Sequence, residues 1–431
     1  MTDLDLLLVG DRVVTPVGEG PAAVGVVDGR IAYVGSGRPR ARRVVRLADD
    51  EALLPGLVDT HVHLQFPGRT GWEGVGTATR AAVLGGTTTL VDMPLDGQPV
   101  TIDLPALQAK RRALQVPFET DLGLWAGAVP GLAGLAELVP SGVLGFKAFL
   151  SPSGCDGFPP LDDADLRAAL RRLLPTGLPL LVHAEDESLA LPLAPSRRYA
   201  DFLASRPAAV EARAVASVID AVRATGGRAH VVHVSTGEAV DLLRAARAEG
   251  LPVTAETCPH YLALDPARLP DGATLVKALP AVRGAADALW AGVAEGVLGV
   301  IVSDHSPCAP GGKATGDFSI DLPGVSSLQL RLPVLWTAAR ARGHGLVDVA
   351  RWAAQAPARL AGLTRKGVIE VGADADFCVV APDERVVVGP VAHRQPGTPY
   401  DGTVLRGAVR STWLRGVQCR PDRPRGRLVS A

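Results

Sequence analysis

The stretch "PGLVDTHVHLQFP", residues 55–67, ends a short apolar run with two histidines one residue apart, His61 and His63. Side chains two residues apart in a β-strand point to the same side, so both imidazoles can reach one metal ion. Taken alone, the pair fits two structural histidines as well as it fits half of a metal site. The rest of the chain has to decide between these interpretations.

Seven further apolar runs follow the first, and stretches rich in Ala, Leu and Arg separate them. The predicted strands are Leu57–His63, Thr87–Pro94, Thr120–Ala126, Gly142–Leu150, Leu178–His183, Arg228–Val234, Leu251–Cys258 and Gly299–Asp304. Helical spacing is clearest over Asp162–Leu174, Val210–Thr225 and Gly237–Glu249. Eight strand–helix units in about 300 residues predict an α/β fold with a (β/α)8 TIM barrel.

Both ends of the chain have a different pattern, with short alternating runs and turn signals such as Asp28-Gly29. Because chain termini often lie close together, we expect one small β-sandwich domain built from both ends. The predicted units are 1–54 (first part of the sandwich), 55–365 (barrel) and 366–431 (second part and tail). The Arg/Pro-rich stretch "RPDRPRGR", residues 420–427, is expected to fray.

Composition narrows the class of protein. Hydrophobic residues make up 47% of the 431 residues and the formal net charge is −1, so neither a nucleic-acid nor a membrane partner is indicated. The start "MTDLDLLLVGDRVV" resembles neither a signal peptide nor a membrane span. The five cysteines form no CxxC, which argues against a disulfide framework or a thiolate zinc site. We expect a soluble, cytoplasmic protein.

Potential metal ligands end five of the eight apolar runs. Each is weak evidence alone, because buried histidines are often structural and an aspartate there can cap a helix. In a barrel, however, the carboxyl ends of the strands converge on one face, where active sites lie. The sequence therefore predicts one metal centre formed by His61, His63, Lys147, His183, His233 and Asp304.

Lys147 stands out because nearly all its neighbours in "GVLGFKAFL" are apolar. A buried ammonium is costly, so the side chain either extends its amine to water or has a lowered pKa. A neutral amine can add carbon dioxide, and the carbamate so formed can bridge two metal ions. Imidazole and carboxylate ligands without thiolate favour two zinc ions, with manganese, iron or cobalt as alternatives. Asp304 is then both a ligand and the catalytic acid/base.

Five motifs carry a family resemblance: "DTHVH", "GFKAF", "VHAED", "HVVHVS" and "VSDHSP". Together they resemble the amidohydrolase superfamily, in the cyclic-amidase branch of dihydroorotase, hydantoinase/dihydropyrimidinase and allantoinase. The resemblance spans nearly the whole chain. It implies that His61 and His63 bind an α metal with Asp304, that His183 and His233 bind a β metal, and that carbamylated Lys147 bridges the two.

Within that branch the chain is most similar to the allantoinase family, through "PGRTGWEG", "VDMPL", "ASRPAAVEARAV", "AETCPHYLALD" and "VSDHSPC". Gln65 occupies the position of the dihydroorotase arginine, and no tyrosine follows Lys147 as in dihydropyrimidinases. Three positions depart from the allantoinase pattern: Phe66 replaces an acidic residue, Asp96 gives "MPLD" for "MPLN", and "LPAVR" begins at Leu279. The resemblance implies hydrolysis of allantoin to allantoate in purine catabolism by a homo-oligomer, a dimer or tetramer.

Two alternatives remain: another cyclic amidase of the hydantoinase or dihydroorotase kind, and a non-catalytic scaffold of the same fold. Candidate substrate contacts are Gln65, Arg69, His260, Leu279 and Ser306, although Arg69 also suits a rim ion pair and His260 loop packing. His305 is expected either to orient Asp304 or to be structural. The Gly/Pro-rich segment Ser151–Pro160, which contains Cys155, is the predicted lid.

Overall fold

The computed structural model describes residues 4–430. The strands are β1 (Leu4–Thr15), β2 (Gly18–Val27), β3 (Arg30–Gly35), β4 (Ala41–Arg46), β5 (Ala52–Pro55), β6 (Leu57–Val62), β7 (Thr87–Asp92), β8 (Asp121–Leu124), β9 (Ala126–Gly127), β10 (Phe146–Phe149), β11 (Leu180–His183), β12 (Ala229–Val231), β13 (Val253–Thr257), β14 (Leu298–Ile301), β15 (Phe377–Val387), β16 (Val404–Leu414) and β17 (Val417–Gln418).

The helices lie mostly between the central strands. They are α1 (Val75–Leu84), α2 (Leu104–Ala113), α3 (Leu135–Leu138), α4 (Asp163–Leu173), α5 (Tyr199–Ser205), α6 (Ala209–Thr225), α7 (Gly237–Ala248), α8 (Pro259–Ala263), α9 (Ala286–Ala294), α10 (Arg331–Arg340), α11 (Leu346–Ala350) and α12 (Ala356–Leu360). The three clearest predicted helices correspond to α4, α6 and α7. The Asp162 side chain accepts a hydrogen bond from the Asp165 amide at 2.8 Å, which explains the start of α4.

The central strands β6 to β14 pair in parallel and in chain order. β6, β7 and β8 form one sheet and β9 to β14 form another, while β8 and β9 are separated only by Trp125. Every residue of β6, β7, β10 and β11 is buried, as expected for parallel strands covered on both faces. A parallel bridge between Val62 and His305 connects the segment after β14 back to β6.

The two ends of the chain share one additional sheet. Its order is β17-β16-β15-β5-β1-β2-β3, and β4 pairs with β1. β15 and β5 join the halves in antiparallel register, with Phe377 opposite Pro55. The prediction of an α/β chain with parallel strands and a separate β unit formed by both ends is confirmed at this level. The domain limits stay a prediction, and their outermost residues, 1–3 and 431, lie outside the described part.

The expectation of a frayed C-terminal tail is wrong. Leu428 forms a parallel bridge with Leu122, flanked by hydrogen bonds of 2.9 Å from the Leu122 amide to Arg427 and from the Val429 amide to Leu122. Val429 packs on the apolar cluster that contains Val58 and Trp125. The tail therefore pairs with a central strand, which its Arg/Pro-rich composition gives no reason to expect.

Within residues 4–430, no helix combines the length and the apolar character that spanning a membrane requires.

Candidate active site

All six predicted metal ligands line one cavity of about 330 Å³ at the carboxyl ends of the central strands. β6 contains His61 and is followed directly by His63, while Asp304 lies shortly after the end of β14. The Val62–His305 bridge holds these two segments together. Lys147 lies in β10, His183 ends β11, and His233 follows β12. The convergence predicted from the strand ends is what the structure shows.

His61, His63 and Asp304 form the first half of the centre. The Nε2 atoms of His61 and His63 lie 3.3 and 3.6 Å from Oδ1 of Asp304. One potential ligand atom from each residue falls within 4.8 Å of the others, so the group fits a single metal ion. Asp304 adopts φ +47°, a conformation unusual for residues other than glycine and typical of constrained functional sites.

His183 and His233 form the second half. Nδ1 of His183 lies 2.9 Å from Nε2 of His233, and the ring centroids are 4.6 Å apart. The His61 and His233 rings lie 5.4 Å apart, which brings the two halves together. Burial lowers the pKa of His61 and of His233 well below the usual value, so both imidazoles are neutral, as metal ligands must be.

Three carboxylates hold the outward-facing nitrogens of these rings. His61 Nδ1 donates to Glu256 Oε1 at 2.5 Å and His183 Nε2 donates to Glu185 Oε2 at 2.9 Å. His63 Nδ1 donates to Asp96. The remaining ring nitrogens, which face the cavity, are then the acceptors a metal needs.

The sequence prediction did not assign roles to these carboxylates. In the sequence Asp96 stands out only as a departure from a family motif. His230 also donates to Glu256, at 3.1 Å. Glu185 lies two residues beyond His183, and Glu256 lies near the end of β13. An acidic residue near the end of a buried strand was therefore the available signal.

Lys147 is fully buried, and its Nζ has no hydrogen-bond partner within the described chain. Burial lowers its pKa to about 8. The centroid of the Phe149 ring lies 4.8 Å from Nζ. An amine that is buried, unpartnered and easily deprotonated fits the carbamate interpretation and excludes the alternative in which it extends to water.

The predicted substrate contacts divide into two groups. Gln65, Arg69, Leu279 and Ser306 line the cavity, but His260 does not. His260 is fully buried, neither ring nitrogen has a partner among residues 4–430, and burial lowers its pKa to about 4. It lies beside Asp304, with one potential ligand atom of each within 4.8 Å, so the ring is internal, and its contact with substrate stays a prediction.

Gln65 and Arg69 differ in how they are held. Gln65 is buried at φ +55°, and its Oε1 has no partner in the described structure. The guanidinium carbon of Arg69 lies 5.0 Å from the centroid of the Trp72 ring, and its Nη2 lies 3.9 Å from Sγ of Cys155. Within residues 4–430, Arg69 forms no ion pair. The expectation of a rim ion pair at Arg69 is therefore wrong, and Gln65 is the candidate contact whose hydrogen-bonding capacity is unsatisfied.

His305 is structural and does not orient Asp304 through its ring. Its Nδ1 accepts from the Ser327 amide at 3.2 Å, and its Nε2 donates to Glu73 at 3.3 Å. Ser306 instead contacts Asp304, with its Oγ donating to Oδ1 at 3.3 Å.

The segment Ser151–Pro160 covers one side of the cavity. Ser153, Gly154 and Cys155 line it, and the Cys155 thiol donates to the Leu95 carbonyl at 2.7 Å. Phe158 is buried against Phe149, with ring centroids 5.8 Å apart. The segment is therefore anchored at Cys155 and Phe158.

Comparisons with known proteins agree with this geometry. The model of the amidohydrolase family matches residues 52–142 and 157–419. An allantoinase of Streptomyces avermitilis is 48% identical over 100% of this chain and 99% of its own length. An allantoinase of Saccharomyces cerevisiae is 41% identical over 84% of this chain and 82% of its own. The solved L-hydantoinase (dihydropyrimidinase) from Arthrobacter aurescens superimposes with a TM-score of 0.93 at 26% identity, covering 99% of this chain and all of that one.

Proposed function

The chain belongs to the amidohydrolase family, and from this premise we propose that it hydrolyses the five-membered ureide ring of allantoin to allantoate. The observation that carries the proposal is the convergence of the six ligand-type residues on one cavity. Relatives named allantoinase that span the whole chain direct the choice of substrate.

The proposal includes the finer fold. The parallel order of β6 to β14 and the Val62–His305 bridge support closure into a (β/α)8 barrel over residues 55–365. The sheet shared by the two ends supports a β-sandwich domain from residues 1–54 and 366–431. A barrel places the six ligand-type residues at the face where such enzymes carry their active sites.

Two divalent metal ions, zinc first among them, are proposed at this centre. One ion would be held by His61, His63 and Asp304. The other would be held by His183 and His233, and the carbamate of Lys147 would contact both ions. When bound, the ions supply Lewis acidity, which lowers the pKa of a water molecule and polarises the ring carbonyl.

Asp304 moves the proton in the proposed reaction. Its carboxylate accepts the proton that water loses on adding to the ring carbonyl, and then delivers it to the ring nitrogen as the carbon–nitrogen bond breaks. The products are a carboxylate and a free ureide N–H, so water is the one co-reactant. Ser306, which donates to Asp304 Oδ1, leaves Oδ2 for this transfer.

Neutral groups on the cavity wall support a neutral ring as substrate. Gln65 offers an unpartnered amide oxygen to a ring or ureido N–H, and Leu279 is apolar. Arg206 also lines the cavity, but Glu187 holds it with two hydrogen bonds of 2.6 and 2.8 Å. Paired Arg206 is therefore a poor clamp for an anionic substrate such as dihydroorotate. Arg69 lines the same cavity without an ion pair among residues 4–430, but its side chain is engaged by Trp72 and Cys155.

A hydantoinase is the second candidate, because the solved structures that superimpose well are named hydantoinase or dihydropyrimidinase. Hydrolysis of allantoin, hydantoin, dihydrouracil and dihydroorotate should be measured side by side with metal-supplemented protein, using Asp304→Asn as the inactive control. Turnover of another ring without turnover of allantoin would reject the first proposal. Absence of bound metal together with absence of hydrolysis would favour the scaffold alternative.

We further propose that the protein is a cytoplasmic homo-oligomer that acts in purine catabolism. Light scattering coupled to size-exclusion chromatography distinguishes a monomer from a dimer or tetramer.

A further inference from the structure

We propose that Asp96 is a positioning residue for the metal ligand His63 and that its charge sets the affinity of the first metal site. The inference deepens the proposed function, because it concerns the same centre. Asp96 comes from the segment after β7, a strand that carries none of the six ligand-type residues.

The contact between Asp96 and His63 fixes how the imidazole can be used. Oδ2 of Asp96 accepts from Nδ1 of His63, and Nε2 of the same ring faces Asp304 Oδ1 at 3.6 Å. An imidazole that donates through Nδ1 binds a metal through Nε2, once the proton on Nε2 is released. Asp96 therefore selects the tautomer in which His63 presents an acceptor to a metal shared with Asp304.

The same strand end also holds the backbone beside His63. Oδ1 of Asp92 accepts from the Leu64 amide at 2.9 Å, and Lys110, which pairs with Asp92, donates to the Met93 carbonyl at 3.2 Å. The main chain after His63 and the ring of His63 are thus both attached to the end of β7. This strand supports the site although it supplies no ligand.

Asp96 differs from Glu256, the carboxylate that supports His61. Glu256 is fully buried and is shared between His61 and His230. Asp96 lies on the cavity wall, with 13% of its side chain exposed, and has one ring partner. Its hydrogen bond to His63 is therefore not shared with a second ring.

The obvious alternative is that the negative charge of Asp96 serves to balance the positive charge of Arg69. Arg69 forms no ion pair within residues 4–430 and stacks on Trp72 instead. The allantoinase-like motif has asparagine at position 96, which can accept a hydrogen bond but carries no charge. The negative charge next to His63 is therefore a feature of this chain, and no ion pair with Arg69 holds it there.

Asp96→Asn tests the proposal by keeping size and hydrogen-bonding capacity while removing the charge. Metal-free protein is titrated with zinc against a coloured chelator, and the two binding steps are resolved. We expect one step to weaken about 10- to 100-fold, the range for loss of a partner that supports a metal ligand, and the other to stay unchanged. Thermal unfolding of the metal-free variant should match the parent, which a merely structural residue would not allow.

Asp156→Asn is the matched control, because Asp156 is exposed in the lid segment and the substitution removes the same charge. Equal zinc affinity of Asp96→Asn and the parent would overturn the proposal. Asp96→Ser supplies a second comparison if the asparagine variant does not fold. Failure of both variants to fold without metal would also overturn it, because Asp96 would then serve the fold.

The readout is independent of the substrate. If the parent binds two zinc ions but opens none of the four rings, the proposed function fails while the role of Asp96 is still decided by the zinc titration. If allantoin is hydrolysed and the charge at position 96 leaves zinc affinity unchanged, the function stands and this inference falls.

Discussion

Nδ1 of His183 lies 2.9 Å from Nε2 of His233, although fifty residues separate them in the chain. Both side chains lie at the ends of neighbouring parallel strands, β11 and β12, so the sheet register alone brings them together. Neighbouring strands are about 4.8 Å apart, which is close enough for two imidazoles to share one ion. The contacts of the other residues at this centre allow the effects of substitutions and of pH to be predicted.

Lys147→Met should abolish hydrolysis without destabilising the protein. The variant removes the amine that would form the bridging carbamate and places an apolar side chain where Nζ has no partner. We expect the hydrolysis rate to fall ~100-fold or more, since loss of metal-ion catalysis costs several kcal/mol of transition-state stabilisation. The midpoint of thermal unfolding of the metal-free variant should equal or exceed that of the parent; a clear decrease would argue that the amine serves packing.

Reactivation of metal-free protein by zinc and carbon dioxide should be faster at high pH. Burial lowers the pKa of Lys147 to about 8, so the reactive neutral amine increases as pH rises through that value. With dissolved carbon dioxide held constant, the rate at pH 8.5 should exceed that at pH 6.5 by about 25-fold, the ratio of neutral fractions. Recovery of activity against time measures it, and Lys147→Met serves as the blank. A rate independent of pH would contradict the assignment.

Gln65→Ala should lower substrate affinity and leave metal binding intact. Oε1 of Gln65 is buried without a partner in the described structure, so its free acceptor is satisfied only by a ligand N–H. We expect kcat/KM for allantoin to fall about 10-fold, the value of one such hydrogen bond. Unchanged zinc content separates this effect from loss of the metal centre, and unchanged kcat/KM would show that substrate does not contact Gln65.

Glu211→Gln should make the protein relatively more stable at alkaline pH. Burial raises the pKa of Glu211 to about 7, although the carboxyl accepts from the Ser235 amide and hydroxyl at 2.8 and 2.6 Å. Its folded pKa exceeds its unfolded pKa, so its stabilising contribution is complete below about pH 4.5 and is lost as pH rises through about 7.

Glutamine lacks this titration, so the difference in the free energy of unfolding between variant and parent should shift in favour of the variant by up to about 3 kcal/mol from pH 4.5 to pH 8. Urea denaturation at the two pH values measures the shift. A constant difference would show that Glu211 is ionised in the folded protein throughout.

Deletion of residues 424–431 should destabilise the protein. The tail forms main-chain hydrogen bonds with Phe118 and Leu122, and Val429 adds apolar contact. At about 1 kcal/mol for each of three hydrogen bonds, we expect a loss of about 3 kcal/mol in the free energy of unfolding. Arg427→Ala keeps the main-chain bonds and should have a smaller effect. Full stability of the truncated protein would indicate that the tail only rests on the surface.

The six ligand-type residues were predictable because each follows from a local pattern. An apolar run that ends in a polar residue marks the end of a buried strand, and parallel strands place such ends on one edge. The helix limits of α4, α6 and α7 were close for the same reason, since capping residues and helical periodicity are local signals.

The partners of those residues were not predictable. Glu256 supports His61 from 195 positions away, and Asp96 supports His63 from 33 positions away. No periodicity in either segment marks them, because the contact exists only once the strands are in register. The paired tail was missed for a similar reason: its Arg/Pro-rich composition predicts disorder, whereas its hydrogen bonds depend on a strand edge just over 300 residues earlier.

The sequence by itself therefore determined the order of strands and helices and the identity of the groups that converge on the cavity, since these depend on neighbours along the chain. Only the tertiary structure decided which nitrogen of each histidine faces the cavity, that His260 is internal, and that the tail pairs with a central strand. These features depend on distances between segments remote in sequence, which packing and sheet register set together.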